Sequence, residues 1–333
     1  MNRVVVFATS FLDKPIALRE SGPSGADILA RLAEEADVTV EYRCDRDPAQ
    51  PVTAAELDGV TAVIADLEQY DADLLQTLGP RGGGSVRLIT RYGVGYDAVD
   101  IPAATEAGII VANTPGANSR PTAEWAVATI MAVAGRRSIH HARASQGLRK
   151  IGPSRIDISG KTLGVVGTGA IGRIVVDLLA GFNVSVLACD LYPNAEWADQ
   201  SGARYVELDE LLAGSDIVTL HAASNAQIIG PRELALMRPS ALLVNCARGV
   251  LVDNAAAWHA VKEGRLWGYG LDEVWPHPEL SLDDLNMMTS PHVGSDTEIG
   301  KANMQRMSAE AIAAFIRSGQ PPHVINPEAL TTS

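Results

Sequence analysis

Short apolar runs alternate with amphipathic stretches along the whole chain. Val4 to Phe7, Val38 to Val40, Ala62 to Ile64 and Val86 to Ile89 have the length and β-branched character of strands. Helical stretches such as Ala26 to Glu35 and Ala72 to Leu78 lie between them. A second series follows, with strands at Thr162 to Val166, Val184 to Cys189, Ile217 to Leu220, Ala241 to Asn245, Tyr269 to Leu271 and Met287 to Thr289. Leu208 to Ala213, Pro231 to Met237 and Ala255 to Glu263 read as its helices. Strands that alternate with helices predict an α/β fold, here two parallel, doubly wound sheets. Residues 121 to 135 form a helix that is apolar almost all round, so other protein must cover it; a core position is expected, with a share in homodimer contact. The last helix, Glu298 to Ser318, is stopped by Gly319 and Pro321-Pro322 and is expected to return to the first sheet, making that domain discontinuous.

The strand Thr162 to Val166 runs directly into Gly167, Gly169 and Gly172, a G-x-G-x-x-G. Behind it Ile171, Ile174, Val175, Leu178 and Leu179 recur at i, i+3, i+4, i+7 and i+8, the period of a helix with one buried face. The first glycine allows the tight turn, the second lets a pyrophosphate approach the backbone, and the third lets helix and strand pack closely. Free N–H groups at the helix start then hold the anion. Asp190 closes the next strand, where a carboxylate accepts from a ribose 2′-OH and repels a 2′-phosphate. Together these predict a Rossmann-like domain that binds NAD rather than NADP.

At 333 residues the chain can hold two domains of ordinary size. A net charge of −13 argues against nucleic acid as partner, since phosphate binding needs a clustered basic surface. Cys44, Cys189 and Cys246 have no C-x-x-C spacing, so neither a disulfide framework nor a metal site is expected, and a reducing cytosol fits. The N-terminal apolar run is too short for a signal-peptide core, and nothing approaches eighteen uninterrupted apolar residues; a soluble, cytoplasmic protein without membrane contact is expected. Arg91-Tyr-Gly-Val-Gly-Tyr-Asp97 is a glycine loop at the C-terminal end of a strand, where open α/β sheets place ligands.

With these pieces in hand, the chain resembles the D-isomer-specific 2-hydroxyacid dehydrogenases, a family that includes phosphoglycerate, glyoxylate/hydroxypyruvate and formate dehydrogenases. The resemblance spans nearly the whole chain and is densest in Tyr92-Gly-Val-Gly-Tyr-Asp-Ala-Val-Asp100, Asn113-Thr-Pro-Gly116, residues 160 to 173, Asn245-Cys-Ala-Arg-Gly249, Gly270-Leu-Asp272 and Pro291-His292. It implies a flavodoxin-like substrate-binding domain of residues 1–100 plus 298–333, a NAD-binding Rossmann domain of residues 101–297, a small acid as substrate and a homodimer. Such a reaction needs a fixed carboxylate, a polarised carbonyl and a proton. Arg248, just after an apolar strand, offers a planar fork for the carboxylate. His292 can pass the proton, because imidazole titrates near neutral pH. The resemblance further implies substrate contacts from Tyr92, Gly93, the backbone N–H groups of Val94 and Gly95, and Asn118. It implies cofactor contacts from Ala170, Ile171 and Ala247, with Arg173 on the pyrophosphate and Asp272 on the nicotinamide carboxamide.

Two departures stand out. Members that handle 2-hydroxy acids usually carry a Glu just before a Pro, five residues after the Asp of the Leu-Asp pair; here Leu271-Asp-Glu-Val-Trp-Pro-His-Pro278 puts His277 there. Three readings stay open. A neutral His277 orients the catalytic imidazole without stabilising its charge, which favours oxidation over reduction near neutral pH. Alternatively the reaction takes no proton, as in formate dehydrogenases. In the third, Glu273 or a substrate group replaces the missing carboxylate, although Glu273 on a strand should point away from the side of Asp272. The second departure is Ala65-Asp-Leu-Glu68, acids where relatives have small neutral residues, which predicts a non-phosphorylated substrate. The rival reading is a non-catalytic, NAD(H)-sensing binding protein; retention of both Arg248 and His292 argues for chemistry.

Overall fold

The computed structural model describes residues 2–12, 23–46, 50–148, 154–276 and 285–332. The chain divides into two compact units, Met1–Asn118 with Asp296–Ser333, and Ser119–Ser295.

In the first unit, β1 (Asn2–Val6), α1 (Gly25–Glu35), β2 (Val38–Tyr42), β3 (Ala62–Ala65), α2 (Ala72–Leu78), β4 (Leu88–Arg91), α3 (Ile101–Ala107) and β5 (Ile110–Ala112) build an all-parallel sheet in the order β2-β1-β3-β4-β5. Side chains of the strands sort strictly by parity. Val4, Val6, Ala62, Ile64, Leu88, Ile110 and Ala112 share one core with Ile312, Ala313 and Phe315 of the C-terminal helix Glu298–Ser318. Val5, Val63, Ala65, Ile89 and Val111 share the other with Leu75, Leu78, Ala104 and Ala107. A sheet covered on both faces needs both parities apolar, which is why its strands read as continuous apolar runs. Carboxylates start two of the helices: Asp71 accepts from Leu74 N–H and Asp100 from Ala103 N–H, each at an N-cap. The division expected after residue 100 falls instead after Asn118, because β5 pairs with β4, Leu88 opposite Ile110. The apolar run Ile109 to Ala112 is as long as the runs read as strands, and its pairing with β4 places it in the first sheet.

The second unit comprises α4 (Ser119–Ala134), α5 (Arg137–Ser145), β6 (Thr162–Val166), α6 (Ala170–Leu179), β7 (Ser185–Cys189), α7 (Ala195–Ser201), β8 (Arg204–Tyr205), α8 (Leu208–Gly214), β9 (Ile217–Leu220), α9 (Pro231–Leu236), β10 (Leu242–Asn245), α10 (Asn254–Lys262), β11 (Gly268–Leu271) and β12 (Met287–Thr289). Its parallel sheet has the order β12-β11-β10-β9-β6-β7-β8. Parity again separates two cores: Val166, Leu187, Val218, Leu220, Leu243, Tyr269 and Leu271 on one face, Leu163, Val165, Val186, Ala188, Ile217, Leu242 and Val244 on the other. The apolar helix α4 packs on the second face, against β10, β11 and α6, and leaves Ala128 and Met131 exposed. Both units are therefore α/β sheets of the Rossmann kind, and no helix among the described residues is long and apolar enough to cross a membrane.

Candidate active site

In a parallel sheet all strands end at one edge, and in the second unit that edge collects the polar residues. After β6 the chain turns at Gly167, whose φ of 93° suits glycine; a Cβ there would lie 2.5 Å from Ala222 N. A Cβ on Gly172 would lie 2.2 Å from Gly167 O, the close helix–strand packing the motif requires. Gly169, the N-cap of α6, has nothing within 4 Å of its Cβ position, so the backbone is open to a ligand beside the first-turn N–H groups of Ala170 and Ile171. Arg173 Nε donates to Thr168 O at 2.7 Å, its guanidinium lies over the Trp197 ring, and its terminal nitrogens make no hydrogen bond among the described residues. Asp190 ends β7. Its Oδ2 accepts from Thr168 N–H at 2.6 Å and Thr168 Oγ1 at 3.0 Å, its Oδ1 from Tyr192 N–H at 2.9 Å. Burial pulls this carboxyl up, but those hydrogen bonds and the charge of Arg173 outweigh it and hold it below its ordinary range. An ionised acid with acceptor capacity left on Oδ1 fits a ribose hydroxyl and repels a 2′-phosphate. The donor set thus fits a dinucleotide. His221, at the end of β9, donates its N–H to Val166 O next to this turn; burial pushes its imidazole down to about 4, so it is a neutral structural group.

At the ends of β10, β11 and β12 lie the residues with acid–base and anion-binding capacity. Asn245 organises the turn after β10: its Nδ2 donates to Arg248 O at 2.7 Å and its Oδ1 accepts from Ala247 N–H at 3.1 Å. The half-buried Arg248 donates from Nη1 to Ala247 O at 2.9 Å. Asp272 is buried, and its carboxylate holds the turn after β12: Oδ1 accepts from Ser290 Oγ at 2.6 Å and Val293 N–H at 3.0 Å, Oδ2 from Gly294 N–H at 2.7 Å. Trp125 of α4 braces the same turn, donating from Nε1 to Ser290 Oγ at 3.3 Å. This turn carries His292 in the left-handed region, φ 58°, and its Nδ1 lies 3.3 Å from Glu273 Oε2. The expectation that Glu273 points away is corrected: β11 ends at Leu271, so strand alternation does not reach residues 272 and 273. Gly249 makes room, since a Cβ on it would lie 2.8 Å from Glu273 Cγ. His277 lies outside the described residues.

In the first unit the same edge, at the ends of β3, β4 and β5, carries a second polar group. Gly93 N–H donates to Thr114 Oγ1 at 3.0 Å, Thr114 N–H to Gly93 O at 3.1 Å, Asn113 Nδ2 to Val94 O at 2.8 Å and Arg91 Nε to Gly95 O at 3.2 Å. Beside this loop Glu68 and Arg91 are buried and Asp66 half-buried, and Glu68 Oε2 accepts from Asp66 N–H at 2.7 Å. Burial raises both carboxyls, with Arg91 acting against it, and lowers the Arg91 guanidinium, whose Nη1 has no hydrogen-bond partner. Tyr92 packs its ring against Phe11, and its hydroxyl accepts from Ser10 Oγ and donates to Lys301 O at 3.3 Å. Asn118 carries a buried Oδ1 without a hydrogen-bond partner among the described residues.

The family described as "D-isomer specific 2-hydroxyacid dehydrogenase, NAD binding domain" matches residues 127–294. A glyoxylate reductase of Thermococcus litoralis is 35% identical over 292 residues, covering 84% of this chain and 86% of the relative. The chain belongs to the D-isomer-specific 2-hydroxyacid dehydrogenases. A D-3-phosphoglycerate dehydrogenase of Methanocaldococcus jannaschii is 38% identical to this dehydrogenase over 253 residues, 72% of the chain and 48% of the relative. The crystal structure of a glyoxylate reductase from Paecilomyes thermophila superposes with a TM-score of 0.80 at 27% identity, covering 97% of this chain and 98% of that one. This dehydrogenase is accordingly an NAD-dependent enzyme. Sequence reading missed Ser290 and Trp125, and held Thr168, Arg91, Asn113 and Thr114 only as members of quoted motifs, without a task for their side chains. A signal existed for most of them: a hydroxyl, amide or guanidinium at or just past the end of an apolar strand.

Proposed function

We propose that the protein interconverts a small, non-phosphorylated D-2-hydroxy acid and its 2-oxo acid, with Arg248 and the N–H groups of Val94 and Gly95 assigned to the carboxylate and His292 to the proton. The observation that carries this reading is the His292–Glu273 pair, set on a turn that Asp272 holds by three hydrogen bonds. When bound, NADH supplies the hydride. His292 then delivers a proton from Nε2 to the carbonyl oxygen in reduction and takes it back in oxidation, while Glu273 fixes the ring through Nδ1 and balances its charge when protonated. Asp272 spends three acceptor positions on the His292 turn, so its first task is to position that turn; a contact with the nicotinamide carboxamide is proposed for the capacity that remains. A carboxylate on the imidazole supports the proton-transferring reaction over the protonless one of formate dehydrogenases.

The buried Glu68 and half-buried Asp66 support a substrate without phosphate, because a second anion near them would be opposed. The exposed Ala128 and Met131 on apolar α4 support a homodimer, and the NAD-dependent chemistry a cytoplasmic one. A panel of 2-oxo acids with NADH tests the reading: glyoxylate or hydroxypyruvate is expected to exceed phosphohydroxypyruvate by at least about tenfold in kcat/KM, and formate is expected to reduce no NAD. Preference for the phosphorylated acid would refute the substrate class, and turnover of formate the role of His292.

A further inference from the structure

The loop Gly93–Gly95 has its carbonyls tied down and its amides left over. Gly93 O accepts from Thr114 N–H, Val94 O from Asn113 Nδ2 and Gly95 O from Arg91 Nε. Neither Val94 N–H nor Gly95 N–H has an acceptor among the described residues. In a trans peptide the C=O and the following N–H point in opposite directions. Fixing Gly93 O and Val94 O against the protein therefore aims the N–H groups of Val94 and Gly95 the other way, and a donor on each carbonyl also strengthens the N–H of the same peptide unit. Two adjacent outward amides are the geometry that holds an anion. Gly93 supports it with a φ of 129° and a third bond, from its own N–H to Thr114 Oγ1.

We propose that Asn113 and Thr114 are positioning residues for the substrate carboxylate: they touch no substrate themselves but orient the two peptide units that do. This rests on the assignment of Val94 and Gly95 to the carboxylate. Asn113 is buried at the end of β5 with its amide committed to Val94 O, and Thr114 is fully buried with backbone and hydroxyl both committed to Gly93. A carboxylate is bound equally before and during hydride transfer, so loss of this orientation acts on KM and leaves kcat in place.

The test uses the full-length protein with NADH and glyoxylate as substrate, and oxalate, a dicarboxylate with no reducible carbonyl, as inhibitor. Asn113→Ala is expected to raise the KM for glyoxylate and the inhibition constant for oxalate in parallel, each about tenfold, with kcat and the KM for NADH within about twofold. Asn113→Asp keeps the volume but turns lone pairs towards Val94 O, and should be worse in the same two constants. Thr114→Ser keeps the hydroxyl and should restore wild-type values. A fall in kcat at constant KM, or an oxalate constant that no substitution moves, overturns the inference. Wild type that reduces no 2-oxo acid yet gains Asn113-dependent heat stability from oxalate overturns the proposed reaction and upholds the cradle; wild type that shows neither effect overturns the cradle.

Discussion

The proposed acid–base apparatus depends on Glu273, one of three readings the sequence leaves open. Strand alternation speaks against it, but alternation stops with β11 at Leu271, two residues before Glu273. Asp272 and Glu273 instead divide the work, one holding the backbone of the His292 turn and the other pairing with the ring. Glu273→Gln keeps the shape but not the charge. We expect kcat for 2-oxo acid reduction to fall about tenfold or more, with the KM for NADH unchanged. The double variant Glu273→Gln, His292→Asn should be no slower than His292→Asn alone. Steady-state rates across pH decide this, and additive losses would show that Glu273 acts elsewhere.

At the level of elements, glycines of the β6–α6 junction have separable tasks. Gly172 faces Gly167 O and admits no side chain, whereas Gly169 faces open space with an ordinary φ of −68°. Gly172→Ala is expected to destabilise the fold by about 1–3 kcal/mol, read as a lower thermal midpoint. Gly169→Ala should leave the midpoint in place and weaken NADH binding by roughly tenfold, since its methyl group occupies the approach to the helix start. Equal midpoints in both variants would sink the distinction. This junction was legible from sequence because strand, glycines, helix and acid each leave a strong local mark; β6, β9, β12 and the C-terminal helix lie where the pattern places them. By contrast α3 and β5 escaped notice. Ile101–Ala107 is alanine-rich and shows only a weak apolar period, and β5 is recognised by its pairing with β4. Asn113 and Thr114 were legible as part of a family motif, but their task follows only from which carbonyls they meet.

For the whole molecule, the placement of the cores sets what can fold alone. Both apolar clusters of the second unit are made solely of residues between Ser119 and Ser295. The fragment 119–295 is therefore expected to fold and to bind NADH with a dissociation constant within about tenfold of the full chain, measured by calorimetry. The fragment 1–118 is expected to stay unfolded, because one of its two cores requires Ile312, Ala313 and Phe315; a cooperative unfolding transition in that fragment would contradict this. The same dependence has a consequence during synthesis. The strands of the first sheet must wait for the helix Glu298–Ser318, with the whole NAD-binding unit translated in between, a delay of roughly 10–35 s at ordinary elongation rates. Over that interval Val4, Val6, Ile64 and Leu88 lack their lid while the later-made unit is already able to close. Until that helix emerges, the nascent chain is therefore expected to offer chaperones a greasy face on the first sheet.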